Sequence, residues 1–170
     1  MRSLYITASV GLVASVVFAS IAFGSTSSAH ARSGALLISI RQQESSQMTT
    51  DKTLKGRFTL LVDGVIQDSG TTVLRPNEGA TKTVAGQQRT PVFGSETVTT
   101  KKGTLTFSFR GVSIAVNNPD DTKDSLFNES GTWRVTSGSG GYAALTGKGV
   151  WASVSTPSAD YIEWDGRARR

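Results

Sequence analysis

Hydrophobic and polar residues alternate in short stretches along most of the chain after residue 34. The clearest stretch is 104–110, in which Leu105, Phe107 and Phe109 share one face and polar side chains share the other. A period of two residues predicts a β-strand with one buried face. The same rule, with Gly, Asn, Asp and Pro marking the ends, predicts eight or nine strands at 35–41, 57–62, 65–74, 92–100, 104–110, 111–116, 127–137, 147–155 and 159–165.

The connections predict antiparallel neighbours. Asp63-Gly64 is typical of a two-residue type I′ hairpin turn, because both residues tolerate positive φ. Lys101-Lys102-Gly103 predicts a three-residue hairpin with its glycine in the left-handed region. Two long loops are expected, at 75–91 and 117–126, and such loops in compact β domains often carry binding or gating residues.

Segment 131–151 places two alternating stretches around a turn rich in glycine, which is typical of a hairpin corner in a closed barrel. We predict an all-β fold with one closed antiparallel barrel of about eight strands, because closure leaves no exposed strand edge. Within strand 159–165, the apolar pair Ile162 and Trp164 should face the core, which leaves Glu163 outside. Arg134 should face water for the same reason, and no acidic side chain is expected to point inward.

Residues 1–31 have the build of a secretory signal peptide, with Arg2, an apolar run at 6–23 and the cleavage pattern Ala29-His30-Ala31. An uncleaved anchor is the alternative, since the run is nearly long enough to span a bilayer. We expect cleavage, a single domain at 32–170, and a secreted or periplasmic protein with no membrane span. Removing Arg2 reduces the net charge of +5 by one.

The only histidine, His30, leaves with that segment, and the chain has no cysteine. This excludes Ser-His-Asp and Cys-His nucleophiles and disulfides, and the usual zinc, copper, haem and iron–sulfur ligand sets. We therefore expect no cofactor and no metal. Residues 117–124 hold three carboxylates and two amides, which leaves calcium as an alternative to a solvated turn. Nucleic acid binding is not expected, because the sequence has no basic stripe with interleaved aromatic residues.

Acid–base candidates are scattered, and none forms a pair in the sequence. The carboxylates are Glu44, Asp68, Glu96, Glu129, Asp160, Glu163 and Asp165, with Tyr142, Tyr161 and Arg134 as candidate partners. The tryptophans Trp133, Trp151 and Trp164 are expected to be core residues, because an indole buries a large area.

The glycine-rich corner carries a resemblance to a known family. It runs through 131–135 (Gly-Thr-Trp-Arg-Val), Ser137-Gly138, Gly140-Gly141-Tyr142 and Gly147-Lys148-Gly149. This pattern resembles allene oxide cyclase-like barrels of the calycin type, and the plant dirigent proteins are similar. The resemblance implies an eight-stranded barrel with a small interior cavity, in a superfamily of cyclases, stereochemistry-directing proteins and secreted bacterial members. It carries no activity with it.

Within that frame, the residues expected in the barrel interior or against a ligand share large apolar or aromatic side chains: Phe58, Leu60, Leu105, Phe107, Phe109, Trp133 and Tyr142. The glycines expected to shape the corner are Gly138, Gly140, Gly141, Gly147 and Gly149. Tyr142 is expected to cap the barrel mouth.

Two functions from different classes remain. The first is a non-catalytic barrel that holds a small apolar molecule or has a structural role. The second is an isomerase or cyclase that confines a reactive apolar substrate. An interior carboxylate or tyrosine with a nearby arginine would favour the enzyme, whereas a solidly packed barrel would exclude both ligand and substrate. Homo-oligomer formation is left open by the sequence.

Overall fold

The computed structural model describes residues 35–116 and 126–170. The predicted signal peptide at 1–31 lies outside these residues, and so does the candidate calcium loop at 117–124. The described residues group into one compact unit.

Nine strands and one 3₁₀ turn follow each other along the described chain. They are β1 (Leu36–Ser45), β2 (Leu54–Val62), β3 (Val65–Glu78), β4 (Lys82–Val84), β5 (Gln87–Thr100), β6 (Gly103–Ala115), β7 (Phe127–Gly138), the 3₁₀ turn Gly140–Tyr142, β8 (Thr146–Ser155) and β9 (Ala159–Arg169).

Eight of these strands form a closed antiparallel barrel. The order is β3-β2-β1-β9-β8-β7-β6-β5, and pairing of β3 with β5 closes the sheet. The short β4 pairs only with the start of β5. This pairing lies beyond the part of β5 that pairs with β3 to close the barrel. The predicted all-β barrel is therefore confirmed. We call the end with the β1–β2 and β8–β9 connections the upper end, and the end with the β2–β3, β5–β6 and β7–β8 connections the lower end.

The predicted long loop at 75–91 is wrong. Strand β3 runs on to Glu78, β5 begins at Gln87, and β4 lies between them. The chain reverses through Ala85 and Gly86, whose φ angles are 51° and 80°. An alanine at positive φ is uncommon. The turn also lacks the Asn-Gly or Asp-Gly signature by which such hairpins are predicted.

The two predicted hairpin turns are present. Asp63 and Gly64 have φ angles of 49° and 80°, as a type I′ turn requires. Thr100 pairs with Gly103, so the second turn has two residues rather than three, and Gly103 has a φ of 142°.

Large apolar side chains fill the middle and lower parts of the barrel. All seven predicted interior residues are buried, and Phe107 is fully excluded from solvent. The ring of Phe107 lies 4.8 Å from that of Trp164 and 5.6 Å from that of Trp133, measured between centroids. Ile162 and Trp164 face inward, whereas Glu163 and Arg134 are exposed, as predicted.

Glycine pairs on neighbouring strands provide flat seats for two indoles. Gly149 pairs with Gly166, and a methyl group on Gly166 would lie 2.6 Å from the Trp133 ring. The Trp133 Nε1–H donates to the carbonyls of Val150 and Asp165, at 3.0 and 3.1 Å. Trp151 lies in the same way over a pair formed by Gly111 and Gly131. The strand wall is bare there, so the indoles pack against backbone.

The corner glycines make close backbone contacts at the lower end. A Cβ on Gly138 would lie 2.1 Å from the Tyr142 carbonyl oxygen, and one on Gly140 would lie 2.2 Å from that of Lys102. Gly140 has a φ of 54°. Gly141 and Gly147 have looser surroundings, with nearest distances of 3.4 and 3.0 Å.

Tyr142 closes the lower end. Its hydroxyl donates to Asp68 Oδ2 at 2.6 Å, and Lys102 Nζ lies 3.4 Å from the same oxygen. The hydrogen bond from Tyr142 lowers the pKa of Asp68, while burial raises the pKa of the Tyr142 hydroxyl.

We expect Tyr142→Phe to lower the free energy of unfolding by about 1–2 kcal/mol, because it removes one hydrogen bond to a carboxylate and keeps the ring. Urea unfolding at neutral pH measures this change. Tyr161→Phe, at an exposed position on β9, is the matched control and should change it by less than about 0.5 kcal/mol. Equal effects of the two substitutions would contradict the role given to Tyr142.

Candidate functional site

A cavity of about 480 Å³ lies at the upper end of the barrel. Its floor is apolar and partly aromatic, and is formed by Leu54, Leu74, Val92, Phe109, Trp151, Ile162 and Trp164. The β1–β2 connection contributes Ser46, Gln47 and Met48, and the β8–β9 connection contributes Thr156 and Pro157. Of the seven residues predicted to lie inside or against a ligand, only Phe109 lines this cavity, because the other six lie deeper in the packed barrel.

Polar side chains line the wall above this floor. The hydroxyl groups belong to Ser46, Thr90, Ser113, Ser153, Ser155 and Thr156. The carboxyl groups belong to Glu78, Glu129 and Asp160. The lining contains no Lys, Arg or His among the described residues. The cavity therefore combines an apolar floor with an acidic and hydroxyl-bearing wall.

Two of the wall carboxyls are substantially buried. Asp160 is 8% exposed, and burial raises the pKa of its carboxyl while the Ser155 hydroxyl partly offsets the rise. Glu129 Oε2 accepts a hydrogen bond from Ser153 Oγ at 3.1 Å. Burial also raises the pKa of Glu129, with smaller contributions from the charges of Asp160 and Glu78. Both carboxyls thus lie close together without a compensating cation in the described part of the chain.

A second acidic pair is buried beside the floor, between β1, β3 and β5. Thr72 Oγ1 lies 2.5 Å from Glu44 Oε1, and it is also hydrogen-bonded to Glu96 Oε1. Gly56 on β2 pairs with both Glu44 and Thr72, and a Cβ there would lie 2.8 Å from the Glu44 side chain. The missing side chain makes room for the carboxyl. Glu44 is 2% exposed and Glu96 is fully buried.

The hydrogen count requires a proton on this pair. A threonine hydroxyl has one proton, so it can donate to one carboxylate only, and the other carboxyl must donate to the hydroxyl oxygen. Burial raises the pKa of Glu44 to about 7, and burial together with the charge of Glu44 raises the pKa of Glu96 well above its usual value. Both shifts favour the protonated form, and the hydrogen count places at least one proton on the pair.

An amide and an indole continue this buried network. The Trp164 Nε1–H donates to Gln42 Oε1 at 2.8 Å. Gln42 Nε2, Glu44 Oε2 and Glu96 Oε2 are buried without a hydrogen-bond partner in the described structure. Neither glutamate lines the cavity, although the charge of Asp160 contributes to the raised pKa of Glu44.

The expectation that no acidic side chain points inward is wrong. Strand phase was the available signal: Ile38 and Ile40 are inward, and counting on by two along β1 reaches Gln42 and Glu44. Counting back by two from Val98 on β5 reaches Glu96. We expected these carboxylates to lie in water because an unpaired buried carboxylate is costly, and this expectation took precedence over strand phase. Cross-barrel partners such as Thr72 are not visible in the local sequence.

The remaining acid–base candidates do not join the site. Glu163 accepts from Arg41 Nε at 3.1 Å on the outer face of the barrel. Tyr161 and Asp165 are exposed, and Arg134 Nε donates to Ser108 Oγ at 3.4 Å outside. Of the seven candidate carboxyls, four thus form two neighbouring pairs at the upper end, that of Asp68 lies at the lower end, and those of Glu163 and Asp165 lie outside.

Metal ligands, membrane-spanning helices and similarity to known proteins each bear on the site. No group of three or more potential metal ligands occurs within residues 35–116 and 126–170. The helical content described there includes no segment of the length and apolar character needed to cross a bilayer. Searches of protein-family models, curated proteins and solved structures found no match to the chain. The resemblance to allene oxide cyclase-like barrels therefore stays a prediction.

Proposed function

We propose that the protein is a non-catalytic barrel that binds a small, largely apolar molecule in the upper cavity. The carrying observation is the apolar and aromatic floor, which faces an open volume although the rest of the barrel is packed. A volume of about 480 Å³ is within the range of small-molecule sites, which are mostly apolar with a few polar groups that fix orientation. The predicted resemblance to ligand-confining barrels agrees with this function.

Energetics support a ligand with both apolar and polar parts. Burial of about 300 Å² of apolar ligand surface contributes roughly 7 kcal/mol. Association costs about 4–15 kcal/mol, so apolar contact alone gives weak binding. The hydroxyl and carboxyl groups of the wall supply the polar contacts that an apolar lumen would lack.

Filling the cavity should weaken binding. Ser153 lies on β8 inside the cavity and is 6% exposed. We expect Ser153→Phe to weaken binding of the neutral probe 2-naphthalenemethanol at least about tenfold, because the new ring occupies the space above the floor. Calorimetric titration measures the affinity, and near-ultraviolet circular dichroism checks that the variant is folded.

Val154→Phe is the matched control, since it adds a phenyl ring to the next residue of β8, which is 44% exposed. It should bind the probe as the parent protein does. Absence of binding to the parent protein, or equal affinity of parent and Ser153→Phe, would contradict the proposal.

An isomerase or cyclase is the second candidate, and the carboxyls with raised pKa favour it. A carboxyl whose pKa is raised keeps its proton to a higher pH and can act as a general acid toward a bound substrate. Asp160 and Glu129 have atoms on the cavity, whereas Glu44 and Glu96 do not. An isomerase would return its substrate at unchanged mass with altered chromatographic retention, and Asp160→Asn would remove that conversion without removing binding.

A further inference from the structure

The charge of the cavity is opposite to that of the chain. The protein has a formal net charge of +5. Within the described residues, however, every charged side chain on the cavity is a carboxyl, from Glu78, Glu129 or Asp160. The two ion pairs of the described barrel, Arg41 with Glu163 and Lys102 with Asp68, both lie elsewhere. The acidic wall is therefore not a consequence of overall composition.

Strand register places these carboxyls above the indoles. On β8, Trp151 pairs with Gly131 of β7 and with Trp164 of β9. One inward position higher, Ser153 pairs with Glu129, and above that Ser155 pairs with Asp160. Two residues of an antiparallel strand span about 7 Å. Along the strands, Glu129 thus lies about 7 Å above the level of the indoles, and Asp160 lies one inward position further, at about 14 Å.

We infer that the cavity selects ligands that carry a protonated amine on an apolar, preferably aromatic, body. This inference rests on the proposed binding function and names the chemical class of the ligand. The ammonium group would lie between Asp160 and Glu129, and the apolar body would lie on Trp151 and Trp164.

Desolvation explains why a cation fits this site. A buried carboxylate without a cation is costly, and an opposite charge delivered by a ligand offsets that cost. Asp160 is more than nine-tenths buried and faces the cavity. Indole faces also attract cations through their quadrupole. An anionic ligand would meet the carboxylates with like charge, and a neutral ligand would leave them uncompensated.

The test compares three probes of the same shape: 2-naphthalenemethylamine, 2-naphthalenemethanol and 2-naphthoate. We expect the amine to bind the parent protein roughly tenfold more tightly than the alcohol, and the naphthoate to bind more weakly than either. Asp160→Asn should bring the amine-to-alcohol affinity ratio close to one. Calorimetric titration at neutral pH measures all of these affinities.

Asp165→Asn is the matched control, because it makes the same substitution on the exposed face of the same strand. It should keep the full preference for the amine, which excludes a general effect of net charge. Calcium chloride added to the amine complex should not displace the amine.

The outcomes separate this inference from the proposed function. If the alcohol binds and the amine binds no more tightly, or if Asp160→Asn keeps the preference, the amine inference is overturned and the binding function stands. Displacement by calcium would overturn it in favour of a hard-cation site. If none of the probes binds, both proposals fail.

Discussion

The free energy of unfolding should fall by roughly 3 kcal/mol as the pH rises from 4.5 to 7, because Glu44 loses the proton that the fold holds. Burial raises the pKa of this carboxyl from 4.5 to about 7, so the folded protein binds the proton more tightly than the unfolded chain does. The stabilisation is complete below pH 4.5 and disappears as the pH rises through 7. Chemical denaturation across this range measures it.

Neighbouring groups act in the same direction. Glu96 has its pKa raised by burial and by Glu44, and Asp160 has its pKa raised by burial, so both also favour the protonated fold. The hydroxyl of Thr72 opposes these shifts, as do Gln42 and the charge of Arg75 in the case of Glu96. Asp68, with its lowered pKa, acts below pH 3.8 and outside this window.

A neutral isostere isolates the effect. We expect Glu44→Gln to flatten the pH dependence, because an amide keeps an oxygen that accepts from the Thr72 hydroxyl and has no proton to lose. Glu163→Gln removes an exposed carboxylate from the outer face and should leave the slope unchanged. Stability that rises between pH 4.5 and 7, or the same slope in Glu44→Gln, would contradict a shared proton in the barrel.

Trp164→Ala should lower the free energy of unfolding by about 3–5 kcal/mol. The Trp164 side chain is 1% exposed, and its ring lies between 4.8 and 5.5 Å from those of Phe107, Phe109 and Trp151. Truncation leaves a cavity at the junction of the packed barrel and the cavity floor. It also leaves Gln42 without its indole donor.

Two further variants separate these contributions. Trp164→Phe keeps most of the aromatic packing and loses the hydrogen bond, so it should cost clearly less than the alanine variant. Tyr161→Ala truncates an aromatic residue on the outer face of β9, 45% exposed, and should cost less than about 1 kcal/mol. Guanidinium unfolding measures all three. A loss below about 1 kcal/mol for Trp164→Ala would contradict the central packing role of this indole.

Much of the fold could be predicted because its evidence is local. The alternation of Leu105, Phe107 and Phe109 determines which face of β6 is buried, and the residues Asp63 and Gly64 determine a turn. The arm formed by β3, β4 and β5 was missed because its turn uses Ala85 at positive φ, a conformation that the surrounding structure imposes and that no local signature marks.

The candidate site was missed for a different reason. Its acidic pairs come from strands that are distant in sequence: Glu44 is on β1, Thr72 on β3 and Glu96 on β5. The Glu44 side chain occupies space above Gly56, which it reaches only once β1 and β2 pair. The seven predicted interior residues describe the packed barrel correctly, but the open volume lies above it, where sequence alternation indicates only that a position faces inward.

The indole N–H signals of the three tryptophans test the central claim most directly. Trp151 and Trp164 line the cavity, whereas Trp133 is seated below it on Gly149 and Gly166. In ¹H–¹⁵N correlation spectra recorded while 2-naphthalenemethylamine is added, we predict that the Trp151 and Trp164 signals shift with one saturating curve and that the Trp133 signal stays in place. Shifts confined to Trp133, or no shift of any indole, would contradict binding in the upper cavity.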